Sequence, residues 1–411
     1  MATLLAWRSI WRNRRRTLIT LFSIAMGLTI VIFFISFGDG VYFQMVDDAA
    51  RMQSGHITIE NPDYRQAPAV DLWVEGADEV RRSVSGLKEV ENAKLLILGQ
   101  GVARSGNGAI GAAVMGVEPS VEKTTSFLAK HINKGGYLED TDGAMVVVGS
   151  KLAKQLKLDI GKKMVLTAND ANGILVEELL RVKGIFETGV PEIDGYLLQS
   201  PIGFARKFFG LPDGAATQVG IVLYDAVSQQ KRARREVGAA AEGRPVKVLS
   251  WYEVMPELAS YIKMDKTSNV VFQGILLFLI LFTIYNTIMM SVMERRREFA
   301  MLMAVGTPVG LLRAQVVMES IFIALIGCAA GLACGWGVSA VTGSTGIDIS
   351  RMLPEGSSVS GFAVSMIMYP RATFPTLVWP TGIVFMITFL ISVLSIRKIH
   401  GGSIADTIRD N

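Results

Sequence analysis

Four long apolar stretches constrain this chain more than any other feature of its sequence. A membrane-spanning helix needs about 20 mostly apolar residues. The stretches that meet this requirement are residues 17–37, 270–293, 311–341 and 374–396. Only 19% of the residues are charged, whereas a soluble globular chain carries roughly 25%. The sequence therefore predicts an α-helical membrane protein with four transmembrane helices.

Lysine and arginine residues predict the orientation of the spans, because short basic segments stay on the cytoplasmic side. These residues are Arg8, Arg12, Arg14, Arg15 and Arg16, then Arg295, Arg296, Arg297 and Arg313, and finally Arg397, Lys398 and Arg409. We therefore expect residues 1–16, 294–310 and 397–411 to be cytoplasmic. The 38–269 region and the 342–373 loop are then external.

The first 16 residues have the pattern of an amphipathic helix on the inner leaflet. Leu4, Trp7, Ile10 and Trp11 share one arc of a helical wheel, and arginines fill the neighbouring arc. Such a helix lies in the membrane interface before the chain enters the first span. The alternative is a basic tail that only sets the topology.

Residues 38–269 have the composition of a large α+β domain inserted between the first two spans. Segments 40–53 and 253–268 are predicted stalk helices that lead out of one span and into the next. Between them, alternating polar and apolar residues predict short strands, for example at 55–60, 93–98 and 218–223. We expect two subdomains. The outer one comprises 55–119 and 216–252, and the inserted one comprises 120–215.

No catalytic, cofactor-binding or metal-binding pattern is found. The segment 156–163 resembles a phosphate-binding loop, but it lacks the first glycine and the final Ser or Thr of that motif. The three histidines, His56, His131 and His400, are far apart in the predicted topology. We therefore expect no catalytic, cofactor or metal site in this chain, and nothing indicates a nucleic-acid partner.

Residues 294–306 predict a short amphipathic helix at the cytoplasmic surface. Two acidic residues lie one helical turn apart beside three arginines, and apolar residues follow. In order these are Glu294, Arg295, Arg296, Arg297, Glu298, Phe299, Met301, Leu302 and Met303. Gly306 is expected to end the helix, and Pro308 prevents its continuation. Such a helix can insert into a groove on a soluble partner; the alternative is a loop without a partner.

Glu319 lies eight residues into the third predicted span. A carboxylate inside a membrane is costly and normally faces a protein interior or a water-filled cavity. Asn286 of the second span or Gln315 could donate a hydrogen bond to it. The alternative is that the Glu319 side chain reaches the cytoplasmic headgroups.

Residues 294–306, Glu-Arg-Arg-Arg-Glu-Phe-Ala-Met-Leu-Met-Ala-Val-Gly, resemble the signature of FtsX-like permeases of ABC transporters, the MacB-like or type VII group. Segments 316–327, 6–17 and 149–161 are similar to other parts of that family. Segments 54–60 and 182–189 resemble its LolC/LolE lipoprotein-releasing branch more narrowly. The chain departs from the family at residues 401–403, where Gly-Gly-Ser stands in place of the usual Asp-Pro.

The resemblance implies a permease subunit that works with a separate cytoplasmic ABC ATPase, which would bind the ATP and Mg²⁺. The implied coupling residues are Glu294, Arg295, Arg296, Arg297, Glu298, Phe299, Leu302 and Gly306. A second permease chain, identical or different, is also implied. Because small residues allow close helix packing in membranes, Gly327, Gly331 and Gly335 offer a face for the mobile seam; the alternative is that this face meets lipid.

The resemblance further implies the bacterial inner membrane, with a porter-like outer subdomain in the periplasm. Membrane lipid, a lipoprotein and a periplasmic chaperone are the remaining implied partners. Three functions stay open on the sequence alone. The first is release or export of a lipoprotein or another amphiphile. The second is mechanical regulation of a periplasmic cell-wall hydrolase, as by FtsX, and the third is a membrane-anchored enzyme or sensor.

Overall fold

The computed structural model describes most of the chain. The described residues are 2–12, 14–226, 228–294, 296–350, 358–359, 362–363 and 367–397. They form two compact units. The membrane unit comprises the described residues within 1–41, 263–348 and 367–411, and the sheet unit comprises those within 42–262 and 349–366.

The helices are long and apolar in the membrane unit and mostly short in the sheet unit. In chain order they are α1 (Ala2–Arg12), α2 (Arg14–Met52), α3 (Ala77–Ser85), α4 (Pro119–Thr125), α5 (Phe127–Lys130), α6 (Ser150–Gln155), α7 (Pro191–Asp194), α8 (Ile202–Phe208), α9 (Gln230–Ala240), α10 (Trp251–Val254), α11 (Pro256–Glu294), α12 (Arg296–Ala304), α13 (Val309–Thr345) and α14 (Phe374–Arg397).

Among the described residues, four helices are long and apolar enough to cross a membrane, which confirms the predicted number. They are Thr17–Met52, Pro256–Met290, Val309–Thr345 and Phe374–Val393. Helices α2 and α11 have 39 residues each, about 60 Å at 1.5 Å per residue. They extend beyond the predicted spans because no proline interrupts 38–52 or 257–269. Each begins in one unit and ends in the other.

The four long helices share one apolar core in the membrane unit. Ile24, Leu28 and Ile32 of α2 are fully buried in it. They pack with Ile284 of α11, Cys328 of α13 and Val384 of α14. The positions in α2 are four residues apart, so they form one stripe along the helix.

The strands belong almost entirely to the sheet unit. In chain order they are β1 (Ile57–Glu60), β2 (Val90–Ser105), β3 (Gly108–Val117), β4 (Ile132–Gly135), β5 (Met145–Gly149), β6 (Lys163–Asn169), β7 (Leu175–Phe186), β8 (Leu197–Pro201), β9 (Gln218–Leu223), β10 (Lys247–Ser250), β11 (Ile347–Asp348), β12 (Ser358–Val359), β13 (Phe362–Ala363) and β14 (Ile367–Met368).

Ten of the described strands form one continuous sheet in the order β10-β1-β9-β2-β3-β8-β5-β7-β4, with β6 paired to both β2 and β7. Neighbours are antiparallel, except that β3 is parallel to β8 and β5 to β7. The 16-residue strand β2 pairs with β9 through its first half and with β3 and β6 through its second. It therefore joins the outer part of the sheet to residues 120–215. The predicted division into two subdomains stays a prediction.

Helices α3, α8 and α9 cover one face of the sheet. Val84 of α3, Val237 of α9 and Phe209, the residue after α8, belong to the same buried cluster as Ile97 of β2. Side chains alternate between the two faces along a strand. Leu98 and its even-numbered neighbours on β2 therefore project from the opposite face, which forms the floor of a cleft.

Candidate coupling site

A glycine sets the end of α12, the helix between the second and third membrane helices. The amide of Gly306 donates to the carbonyl of Met303 at 3.0 Å, and the amide of Thr307 donates to the carbonyl of Leu302 at 2.9 Å. This pair of bonds is the Schellman arrangement, which favours a residue with positive φ. Gly306 has a φ of +98°. Pro308 then directly precedes α13, so the chain turns between α12 and α13.

One side of α12 is packed, and its other side and the turn after it are open. Met303 packs against the first turns of α13. By contrast, Met301, Leu302 and Val305 are 60%, 42% and 86% exposed. We call these three residues the docking face. Grouped exposed apolar side chains mark a surface that a protein or a membrane covers.

A salt bridge joins α12 to the N-terminal helix. One terminal nitrogen of the Arg12 guanidinium lies 2.7 Å from both carboxylate oxygens of Glu298. This hydrogen bond and the charge of Glu298 raise the pKa of Arg12. The two side chains are 61% and 43% exposed, and exposed pairs contribute only about 0–1 kcal/mol. The pair therefore positions α12 more than it stabilises the fold.

Helix α1 packs on α13, and its predicted position at the inner leaflet stays a prediction. Ala6 and Ile10 are almost fully buried, and the Trp7 ring meets Phe322 of α13 edge-on at 5.8 Å between centroids. The Thr17 hydroxyl donates to the carbonyl of Ile10 at 2.7 Å. The predicted 1–16 segment thus contains a helix that ends at Arg12 and the first residues of α2. Helix α1 therefore contacts both α12, through Glu298, and α13.

Glu319 is 5% exposed and lies on α13. Its charge also contributes to the raised pKa of Arg12, so the two groups lie within electrostatic range. Asn286, the predicted hydrogen-bond donor on α11, is exposed, and Gln315 is half-buried. The role of Glu319 in coupling stays a prediction.

The three glycines of the predicted packing face lie against α2 of the same chain. A Cβ added to Gly327, Gly331 or Gly335 would come within 2.9–3.0 Å of α2 atoms. The Thr29 hydroxyl of α2 also donates to the carbonyl of Gly331 at 3.2 Å. The glycines therefore let α2 and α13 approach closely. Their pairing with a second chain stays a prediction.

Part of the predicted coupling surface lies outside the described residues. Arg295 does, and so do the side chains of Glu294, Arg296, Arg297 and Phe299. The backbone places Glu294 at the end of α11 and Arg296 at the start of α12. The predicted single helix over 294–306 therefore stays a prediction where it passes through residue 295. The tail after residue 397, with its Gly-Gly-Ser at 401–403, is also outside the described residues.

Charged side chains tie the end of α2 to the sheet. Arg51 lies 2.8 Å from Asp47 and 2.6 Å from Glu91. The Lys94 ammonium of β2 donates to the carbonyl of Arg51 at 2.9 Å and to Glu122 at 2.7 Å. The Lys94 and Glu122 side chains are each only 1% exposed. We call these five residues the stalk anchor.

Neither the Arg12–Glu298 pair nor the stalk anchor is predicted by the sequence. Arg12 and Glu298 are 286 positions apart, and Lys94 was one charge in a predicted strand. The one signal available was that Lys94 interrupts an otherwise apolar strand pattern, which indicates a buried charge that needs a partner.

Comparison with known proteins accounts for nearly the whole chain. The model of the MacB-like periplasmic core domain matches residues 17–238, more than half of the chain. The model of the FtsX-like permease C-terminal domain matches residues 270–404. The second match contains α12 and the glycine face, and the first contains α2 and most of the sheet.

Curated relatives match with low identity. The lipoprotein-releasing system transmembrane protein LolC of Xylella fastidiosa is 28% identical over 54% of this chain and 55% of its own length. The pyoverdine export ATP-binding/permease protein PvdT of Pseudomonas aeruginosa is 24% identical over 80% of this chain and 49% of its own. The chain thus spans about half the length of these relatives.

Among solved structures, the periplasmic region of MacB from Actinobacillus actinomycetemcomitans covers 53% of this chain and 98% of its own, at 13% identity and a TM-score of 0.38. The assignment does not rest on that likeness. It rests on the two domain models, which together cover most of the four membrane helices and most of the sheet unit. The chain belongs to the family of ABC transporter permeases that combine a MacB-like periplasmic core domain with an FtsX-like permease domain.

Proposed function

We propose that this chain is the membrane subunit of a transporter whose ATPase is a separate cytoplasmic protein that docks on α12. The observation that carries the proposal is the docking face: Met301, Leu302 and Val305 are open, while Met303 packs against α13 and Glu298 pairs with Arg12. A rigid helix with an apolar open side fits a groove on a partner protein. In this proposal the partner binds ATP and Mg²⁺.

We further propose that α2 and α11 carry motion from the docking face to the periplasmic domain. Both helices begin in one unit and end in the other. The stalk anchor fixes the last turn of α2 to strand β2 through Arg51 and Lys94. A displaced helix therefore moves the sheet rather than bending at a free hinge. A second permease chain, identical or different, completes the assembly in the membrane.

The proposed substrate is a lipoprotein or another amphiphile that leaves the outer leaflet of the bacterial inner membrane, with a periplasmic chaperone as the acceptor. The names of LolC and PvdT support an export role, one for lipoprotein release and one for pyoverdine export. The domain match supports the same class of machine. Mechanical regulation of a hydrolase is the alternative outcome of the test.

The test uses the chain coexpressed with its cognate ABC ATPase and reconstituted in proteoliposomes. Leu302→Asp and Val305→Asp place a charge in the docked surface, so we expect at least about tenfold weaker retention of the ATPase, equivalent to about 1.4 kcal/mol. Asn107→Asp is the matched control, because it adds the same charge at an exposed turn between β2 and β3. Its retention should equal that of the unmodified chain.

Unchanged retention in both docking-face variants would refute the docking proposal. Release of a fluorescent lipoprotein from the same proteoliposomes tests the transport proposal separately. ATP-dependent release supports transport. ATP turnover that is coupled to the chain without any release supports mechanical regulation instead.

A further inference from the structure

The sheet face opposite α3 and α8 carries a cleft of about 700 Å³, within the range of small-molecule sites. Residues 52–54 line it, and the rest of its walls come from three loop segments of the sheet unit. They are the 61–73 loop between β1 and α3, the 169–173 turn between β6 and β7, and residues 192–197 around the end of α7. The 61–73 loop is long and irregular, and such loops in compact domains are usually functional.

The floor of the cleft is apolar. Leu98 of β2 and Met115 of β3 lie side by side in the sheet, and Leu197 of β8 follows beside β3. Val254 also lines the cleft. Because these residues sit on paired strands, the floor is a rigid surface for an apolar body.

One buried polar group of the cleft lacks a partner. Gln218 of β9 lines the cleft and is 2% exposed. Its amide nitrogen donates to Glu60 at 2.9 Å, but its Oε1 has no hydrogen-bond partner among the residues that the structure describes. An unsatisfied buried acceptor is costly, and a ligand that donates a hydrogen bond would remove that cost.

The charge of the cleft is negative. Arg65 is the positively charged residue that lines the cleft, and it forms a salt bridge of 2.8 Å with the fully buried carboxylate of Glu60. Asp71, Asp170 and Glu192 line the rim. The Asp170 carboxylate accepts hydrogen bonds from backbone amides of the 170–174 turn. These bonds lower the pKa of Asp170 and favour its ionised form. An anionic ligand would thus be repelled, and a cationic one attracted.

We propose that this cleft binds a small cationic amphiphile, with its apolar body on the strand floor and a protonated amine near Gln218 and the rim carboxylates. The inference concerns binding by the periplasmic domain alone and does not depend on the proposed transport function. A test that measures occupancy of the cleft can therefore fail or succeed independently of the docking experiment.

The test measures protection of a cysteine in the cleft of the full chain in lipid nanodiscs. Cys328 and Cys334 are replaced by Ala, and Gln100→Cys places a thiol at an exposed position of the cleft wall. A neutral methanethiosulfonate reagent, which reacts with thiols and not with amines, reports occupancy through its rate. Asn107→Cys, outside the cleft, is the matched control for effects of the probe on the membrane.

Three probes with the same ten-carbon chain separate the contributions. Decylamine should slow labelling of Q100C and leave labelling of N107C unchanged. Decyltrimethylammonium has the same charge but no N–H to donate, so it should need about tenfold higher concentration, the effect of one charge-assisted hydrogen bond. Decanoate should not protect. The rim variant D71N/E192Q, changed at exposed positions, should weaken protection by decylamine.

Labelling of Q100C that decylamine leaves unchanged overturns the proposal. Equal protection by decanoate and decylamine overturns the cationic ligand class. Equal slowing of Q100C and N107C shows an effect of the probe on the membrane and also counts against a site. If decylamine protects Q100C selectively, Ala113→Phe, which fills the floor of the cleft, must abolish that protection.

Discussion

Replacing Lys94 by Met removes the cation that the buried Glu122 carboxylate contacts. Both side chains are 1% exposed and 2.7 Å apart, and the second oxygen of Glu122 has no hydrogen-bond partner among the described residues. Breaking one side of a buried pair costs about 3–5 kcal/mol, because the remaining charge stays desolvated. For a unit of this size each kcal/mol lowers Tm by about 2–4 °C. We expect Tm of the sheet unit to fall by about 10 °C.

The assay follows the β-sheet circular dichroism of the full chain in nanodiscs during heating. Lys94→Met/Glu122→Leu removes both charges and should recover most of the loss, because an apolar replacement of a buried pair is often neutral. Arg104→Met is the control: its pair with Glu177 is half exposed and should contribute less than about 1 kcal/mol. A Lys94→Met variant as stable as the unmodified chain refutes the reasoning. So does a double variant whose loss equals the sum of the single losses.

Three further predictions test the membrane unit and its orientation. Gly331→Ala should lower stability or function, since its Cβ would lie 2.9 Å from Leu28. The control is Gly337→Ala on the same helix, whose Cβ would meet nothing within 4 Å. Equal effects of the two substitutions would contradict the packing of α13 on α2. Glu319→Gln should be mild and Glu319→Leu should weaken ATPase coupling, whereas a Leu variant that couples normally would favour the snorkelling alternative. Asn107→Cys in a chain without other cysteines should react with an impermeant reagent in intact spheroplasts, and labelling only after lysis would contradict the topology.

The membrane helices could be predicted from the sequence because each requires only a long apolar run. Their ends were less predictable. Helix α2 continues to Met52, well past its apolar run and close to the end of the stalk helix that the sequence predicts at 40–53. The predicted stalk helix at 253–268 is divided instead. Glu253 caps α10 through the capping box with Ser250, and Pro256 begins α11.

The strands show why local pattern falls short in the sheet. The predicted strand at 93–98 ends before Gly99 and Gly101, which interrupt the alternating pattern. The actual strand β2 continues through both glycines to Ser105. Gly99 makes room for the ring of Phe209, and a Cβ at Gly101 would lie 2.7 Å from the carbonyl of Thr167. Tertiary contacts, rather than local strand preference, therefore require glycine at these two positions.

The coupling site was predictable only in its local part. The turn at Gly306 follows from a glycine and a proline at fixed positions. The Arg12–Glu298 pair and the cleft at Gln218 each bring together residues that are far apart in sequence. Periodicity and motif spacing describe one segment at a time, so neither could be read before the fold was known.

ATP turnover of the purified chain, measured alone and then with its cognate ABC ATPase in the same proteoliposomes, tests the central claim most directly. We expect no ATP turnover by the chain alone. We expect turnover in the complex, and a lower rate when the docking face carries Leu302→Asp. A purified chain that hydrolyses ATP at the rate of the complex would contradict it.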